Sequence, residues 1–167
     1  MMEANYDEAV IKKVVTETLG QVARQAQSPK MTLALAVALI EAVEQKAAKM
    51  GVAAVVAVSD DKGRPVAVHC MDDAFVASFD IALNKTFTSA GLKMSTAALA
   101  QLAAPGKALY GIQHTNQGKI VIFGGGEPLF VHDCLIGAIG VSGGTAAQDT
   151  CLAAYGKSML KEVISWN

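Results

Sequence analysis

The sequence predicts an α+β domain: a mainly antiparallel sheet of about five strands with helices packed on its faces. Three observations point there. Runs rich in β-branched and apolar residues, at 52–59, 64–71, 109–114, 119–123, 129–132 and 135–141, have the length of strands. Most connections between them are a few residues long, whereas a parallel crossover needs a dozen or more, so neighbouring strands should pair antiparallel. The remaining long stretches repeat apolar residues at helical spacing. The chain has 167 residues, 52% of them hydrophobic, which suits one core of ordinary size.

In chain order, Asp7 to Ala26 carries Val10, Ile11, Val14, Val15, Leu19 and Val22 on one helical stripe, with Lys12, Lys13, Glu17, Gln21 and Arg24 mostly between them. Gly20 weakens this helix, and the pattern ends in a polar joint, Gln25–Lys30, broken by Ser28-Pro29. Two units are therefore expected: residues 1–28, an amphipathic helix with its linker, and residues 29–167, the main domain. The stripe could pack on its own domain or a sister subunit, or serve as a docking peptide for another protein. The next helix is capped by Thr32, buries Leu33, Ala36, Val37, Ile40, Val43, Ala47 and Met50, and wets Glu41, Glu44, Gln45, Lys46 and Lys49. Gly51 suits its C-terminal cap.

Val52–Ser59 is apolar at both parities, so it reads as a strand covered on both faces. Asp60-Asp61-Lys62-Gly63 turns it into Arg64–Met71, where Val66, Val68 and Cys70 point one way and Ala67, His69 and Met71 the other. Asp72-Asp73 then begins a helix through Phe75, Val76, Phe79 and Phe87 that Gly91 stops. A short helix follows at 95–103, ending at Pro105-Gly106. The later strands are punctuated by Gly124-Gly125-Gly126-Glu127-Pro128 and by Ser142-Gly143-Gly144-Thr145, which leads into a final helix at 146–159.

Composition narrows the function. Fourteen basic residues face 15 acidic ones for a net charge of −1, and only Arg24 and Arg64 are arginine, so no nucleic-acid face is expected. No stretch approaches the about 20 apolar residues of a membrane span, and no secretory signal pattern is present; a soluble, cytoplasmic protein is expected. So apolar and nearly neutral a chain is expected to hide surface in a homo-oligomer. Cys70, Cys134 and Cys151 form neither a zinc knuckle nor a redox pair and should be reduced, mostly buried thiols. No metal-site spacing occurs.

The polar candidates are few. Gly124, Gly125 and Gly126 precede a strand instead of a helix, so they are neither a dinucleotide fingerprint nor a P-loop. They could admit a planar ligand, a sister subunit or a bulged turn. Ser142, Gly143, Gly144 and Thr145 deliver a strand to a helix N-terminus, as a cap or as an anion-contacting turn. Gln148 and Asp149 follow one turn later, wet unless a ligand lies over the turn. Asp80, Lys85 and Asp149 are the acid–base candidates, for a hydratase, tautomerase or lyase acting on a small metabolite; a surface ion pair is the plainer alternative. His69, His114 and His132 each stand near a strand end, where one imidazole nitrogen could reach haem iron or simply hydrogen-bond at an edge. Cys70 and Met71 beside His69 make that strand end the best ligand candidate by residue type. A structural assembly protein without ligand is a third reading.

The runs Arg64-Pro-Val-Ala-Val-His-Cys-Met-Asp-Asp-Ala-Phe75, Asp80-Ile-Ala-Leu-Asn-Lys-Thr86, Gly124-Gly-Gly-Glu-Pro128 and Ile136-Gly-Ala-Ile-Gly-Val-Ser-Gly-Gly-Thr145 with Gln148-Asp149 resemble the GlcG/HbpS family. Leu109-Tyr-Gly-Ile-Gln-His-Thr-Asn-Gln117 and Lys119-Ile-Val-Ile-Phe123 look most like the C-terminal domain of PduO and its stand-alone relatives, which occur with diol and glycerol dehydratase systems. The resemblance covers about residues 31–156. It implies an antiparallel sheet flanked by helices, homo-oligomers, and haem as ligand in some members, with corrinoid-related roles in others. It carries no axial ligand across, since this sequence has no histidine before His69. It does not extend to the adenosyltransferase domain of PduO. It also likens residues 7–24 to the peptides that carry cargo into bacterial microcompartments, with shell or cargo proteins as partners.

Overall fold

A computed structural model describes residues 8–26 and 30–165. Helix α1 (Glu8–Ala26) forms where the apolar spacing predicts it, and its stripe residues Val10, Ile11, Val14, Val15 and Leu19 are all exposed. The side chain of Val22 and the break at Ser28-Pro29 lie outside the described residues.

Helix α2 (Leu33–Lys49) begins at Thr32, whose extended backbone lets its hydroxyl accept the Leu35 N–H at 3.1 Å. Its buried face runs through Leu35, Ala36, Leu39, Ile40, Val43 and Ala47, leaving Leu33, expected inside, exposed. Met50 closes the helix and Gly51 takes the left-handed φ of 67° that a following glycine tolerates.

Strands β1 (Val55–Asp60), β2 (Pro65–Cys70), β3 (Gly126–Val131) and β4 (Cys134–Ser142) form one sheet in the order β2-β1-β4-β3, every neighbour antiparallel. The expected α+β architecture holds, with four strands among the described residues instead of about five. The stretches 109–114 and 119–123 are not strands. Gly111, Asn116, Gln117 and Gly118 all have positive φ and wind the chain into two short 3-10 turns, Ile112–His114 and Asn116–Gly118. The backbone of Val121 then donates to the Thr88 hydroxyl at 2.9 Å, so a side chain satisfies an amide that a ladder would otherwise need. Gly126, Glu127 and Pro128, read as loop, belong to β3.

The β1–β2 turn is held by Asp60. Burial works to raise its pKa, but the Arg64 and Lys62 backbone N–H groups and the Arg64 guanidinium donate to its carboxylate and hold it below the ordinary value. Its contribution is therefore present above about pH 4 and fades as acid protonates it.

Two helical layers cover the sheet. On one face α2 and α5 (Ala146–Ser165) pack Leu39, Ile40, Val43, Leu152, Ala153 and Leu160 against Val56, Val58, Ile139 and Val141. On the other, α3 (Ser78–Leu92) lays Ala82 on Val55 and Ala57. The start of α3 lies later than expected: Asp72 to Ala77 make turns, and Phe75, Val76 and Phe79 are exposed. Its end is Lys93 in a left-handed conformation, not Gly91. Helix α4 (Thr96–Ala103) is capped by the Ser95 hydroxyl. The thiols are free, but only Cys134 is partly buried, while Cys70 and Cys151 are exposed.

Close approach of α3 to the sheet depends on missing side chains. A Cβ on Gly140 would collide with the Ala82 carbonyl and stand 3.0 Å from Thr86. Gly140→Ala is expected to destabilise the domain by roughly 1–3 kcal/mol through forced displacement of α3. Urea unfolding reads this as a lower midpoint; an unchanged midpoint would mean that the helix yields freely.

Candidate functional site

Some of the polar residues singled out in the sequence, Lys85, Asp149 and the Ser142–Thr145 turn, meet at one end of the sheet. Val55 pairs with both Cys70 and Ser142, so the end of β2, the start of β1 and the end of β4 lie in one row. Gly126 pairs with Gly140, which brings the glycine run to the same end. There α3 and α5, on opposite faces, meet past the strand ends. Lys85 of α3 is fully buried; its Nζ donates to the Val141 carbonyl at 2.7 Å and to Asp149 Oδ2 of α5 at 2.8 Å. The Phe123 ring, 5.0 Å from the ammonium, lies against it as a cation–π partner.

Gly125 makes this junction possible. Any Cβ there would stand 2.6 Å from Lys85 Nζ, 2.7 Å from the Val141 carbonyl and 2.8 Å from Asp149. Its φ of 113° is in addition open mainly to glycine. Gly124 and Gly126 face Thr150, Ser89 and Thr96 equally closely, and the Gly126 N–H donates to Thr96 Oγ1 at 2.9 Å. The Cβ side of the run thus faces the protein's own atoms, which is a packing role within one subunit.

The Gly144 and Thr145 amides of the Ser142–Thr145 turn donate to side chains of α5. Gly144 N–H donates to Asp149 Oδ1, and Thr145 N–H to Gln148 Oε1, both at 2.9 Å. Gln148 N–H returns to Thr145 Oγ1 at 3.2 Å, so the two residues form a capping box. Its Thr-x-x-Gln spacing is legible in the sequence, although Gln148 is expected there only on the wet face or orienting a ligand. Ser142 Oγ donates to Ser78 Oγ at 3.1 Å, tying the turn to the start of α3. Asp149, expected on the wet face, is buried and accepts from both Gly144 and Lys85.

Burial pushes the Lys85 pKa down from 10.5, against the Asp149 carboxylate, whose hydrogen bond and charge raise it. With no surface exposed and its hydrogen bonds directed at protein groups, this ammonium braces α3 against β4 and α5. Asp80, four residues before Asn84 on α3, is exposed, away from that pair. A hollow of about 820 Å³ lies at the opposite, hairpin-turn end, between Lys30, Asp60, Arg64, Lys93 and Asp133, and includes neither Lys85 nor the 142–145 turn.

The histidines are separate. His114 is exposed on a 3-10 turn and not at a strand end, and His132 sits in the β3–β4 turn with φ of 47°. His69 is on β2, its side chain 37% exposed, and its Nδ1 lies 3.1 Å from Glu44 Oε1 of α2. Its cross-strand partner Val56 belongs to the α2-facing core, whereas the exposed Cys70 alternates to the α3 side. Met71 shares the His69 face but packs on that core, its sulfur 3.5 Å from the Ala54 N–H. The three neighbours in sequence therefore do not converge. Among the described residues no group of three His, Cys, Asp or Glu side chains could hold a metal ion, and no helix is long and apolar enough to cross a membrane.

A family model described as haem degrading protein HbpS-like matches residues 31–157. The chain is 47% identical over 127 residues to an uncharacterised 15.0 kDa protein in the dhaT-dhaS intergenic region of Citrobacter freundii, across 76% of this chain and 89% of that one. It is 33% identical over 147 residues to the corrinoid adenosyltransferase PduO of the same organism, covering 86% of this chain but only 44% of that enzyme. Among solved structures, Klebsiella pneumoniae protein ORFY superposes with a TM-score of 0.78 at 43% identity, over 81% of this chain and 94% of its own. A PduOC:heme complex superposes at 0.70 with 36% identity, over 72% of this chain and 87% of its own.

The brace has a measurable consequence. Lys85→Met strands the Asp149 carboxylate without its cation and should cost about 3–5 kcal/mol of unfolding free energy, read by urea denaturation. Because burial lowers the Lys85 pKa, the unfolded chain holds that proton more tightly. Stability from this group therefore rises as pH climbs from the lowered value towards 10.5 in the wild type and not in the variant. A variant as stable as the wild type would show that the pair contributes nothing.

Proposed function

The chain belongs to the HbpS-like family, and on that premise we propose that it is a cofactor-binding accessory protein for haem or a related tetrapyrrole, a corrinoid included, linked to diol or glycerol utilisation. The likeness to a PduOC:heme complex supports the choice of ligand. The observation in this chain that carries it is His69, a part-exposed imidazole on the edge strand β2, flanked on its own face by Ala67 and Met71. One imidazole with apolar neighbours fits a metal that brings its own macrocycle. His69 would hold the haem through that nitrogen, and the haem would supply the iron centre. His114, exposed on its turn, is the other ligand candidate, whereas a Cβ at Gly124, Gly125 or Gly126 would meet the protein's own atoms.

Haemin titrated into the full chain should give a saturable, shifted Soret band at one ligand per site, and the band should survive His114→Ala if His69 is the ligand. A folded protein that leaves the haemin spectrum unchanged would end the tetrapyrrole reading.

We further propose that residues 1–28 form a docking unit separate from the domain at 29–167, and that the segment 7–24 binds a microcompartment shell or cargo protein inside the cytoplasm. Val10, Ile11, Val14, Val15 and Leu19 are each 48–63% exposed, so the stripe is available to a partner. Removing residues 1–28 should then leave the melting temperature within about 2 °C of the full chain and abolish co-localisation with a shell. Sedimentation of both proteins over a concentration range reads the expected homo-oligomer in the same experiment. A large loss of stability on truncation would show that the helix covers its own domain, and a concentration-independent monomer would defeat self-association.

A further inference from the structure

The contact between Glu44 and His69 sets which ring nitrogen is free. An ionised carboxylate can only accept, so at 3.1 Å from Glu44 Oε1 it is Nδ1 that carries the hydrogen. In the neutral ring the lone pair then resides on Nε2, which has no hydrogen-bond partner among the described residues. The two residues come from different elements, helix α2 and strand β2, separated by 25 positions in sequence. Both are partly exposed, so the pair adds little to stability as an ion pair.

A hydrogen bond from one ring nitrogen to a carboxylate is the arrangement that orients a metal-binding imidazole and raises its basicity. The surroundings also select the kind of metal. No cluster of three ligating side chains exists among the described residues, so a bare ion at His69 would find two protein ligands at most, and the Glu44 carboxylate is engaged by the ring itself. A metal already held by four macrocycle nitrogens needs no more than one.

We propose that Glu44 is the positioning residue of an axial His69, holding the ring as the Nδ1–H tautomer with Nε2 presented to a tetrapyrrole-bound metal. This rests on the tetrapyrrole reading above and names the residue pair that executes it. Glu44 touches only His69 in this role, so its effect passes through the ring.

The test uses the full chain, haemin and three variants, His69→Ala, Glu44→Gln and Glu44→Ala, with far-UV circular dichroism to verify folding. In the ligand-free wild type, long-range nitrogen–proton NMR should find the His69 ring as the Nδ1–H tautomer, and Glu44→Ala should mix the tautomers. With haemin, His69→Ala should lose the imidazole-ligated Soret and electron paramagnetic resonance signature, and added free imidazole should restore it. Glu44→Ala should weaken haemin binding about 10-fold with the imidazole signature retained, and Glu44→Gln should fall between it and the wild type. Binding with an unchanged spectrum in His69→Ala would overturn this pair while leaving the tetrapyrrole reading intact. Equal affinity and an equal tautomer in Glu44→Ala would overturn the role of Glu44 alone. No binding by the wild type would overturn both readings.

Discussion

A buried lysine that cannot reach water must be satisfied by the protein, and much of this fold is arranged around that requirement. The Lys85 ammonium lies between a strand carbonyl and the Asp149 carboxylate, with an aromatic ring beside it. An unpaired charge in such a place would be far more costly than any single apolar contact is favourable. The junction therefore constrains everything that touches it: α3 must lie close to the sheet, α5 must start directly after β4, and the chain entering β3 must pass without a side chain at Gly125. Asp149 also accepts from Gly144, so the same carboxylate fixes the turn that launches its own helix.

The glycine run accordingly has a packing role within the chain. A backbone that passes close to something needs glycine whether that something is a cofactor or a lysine. The local sequence is the same in both cases. Here the neighbours are Lys85, Asp149, Thr150, Ser89 and Thr96 of the same chain. The imidazoles lie elsewhere on the surface: His69 on the edge strand β2 beside α2, His114 on its 3-10 turn and His132 in the β3–β4 turn.

The apolar excess of the composition is likewise distributed in a definite way. The layer between the sheet and the α2–α5 pair holds the larger core, and α3 closes a much smaller one. What is not consumed there appears on the surface as the α1 stripe, as Phe75, Val76 and Phe79 around the start of α3, and as the scattered Leu33, Leu102, Tyr110, Phe123 and Phe130. Helix α1 has no buried apolar side chain over residues 9–20, so its helical period alone organises it, whereas α2 has the same period and a core to fill.

The sequence by itself determined the elements whose signal is local. The period of α2 with its Thr32 cap, the Asp60–Arg64 hairpin and the alternation that sets His69 on the face opposite Cys70 all depend on neighbours in the chain, and all stand in the structure. The short connections likewise sufficed for an antiparallel α+β fold. Residues 109–123 mark the limit, since their β-like composition was outweighed by left-handed residues at 111 and 116–118 and by a hydroxyl on α3. Only the tertiary structure decided which polar groups meet. Lys85 and Asp149 are 64 positions apart, and neither has a pattern that names the other. Glu44 reads as one wet-face residue among several until β2 brings His69 to it. Local periodicity records which way a side chain points, but the partner at the end of it comes from chain packing across the sheet, which no short stretch of sequence contains.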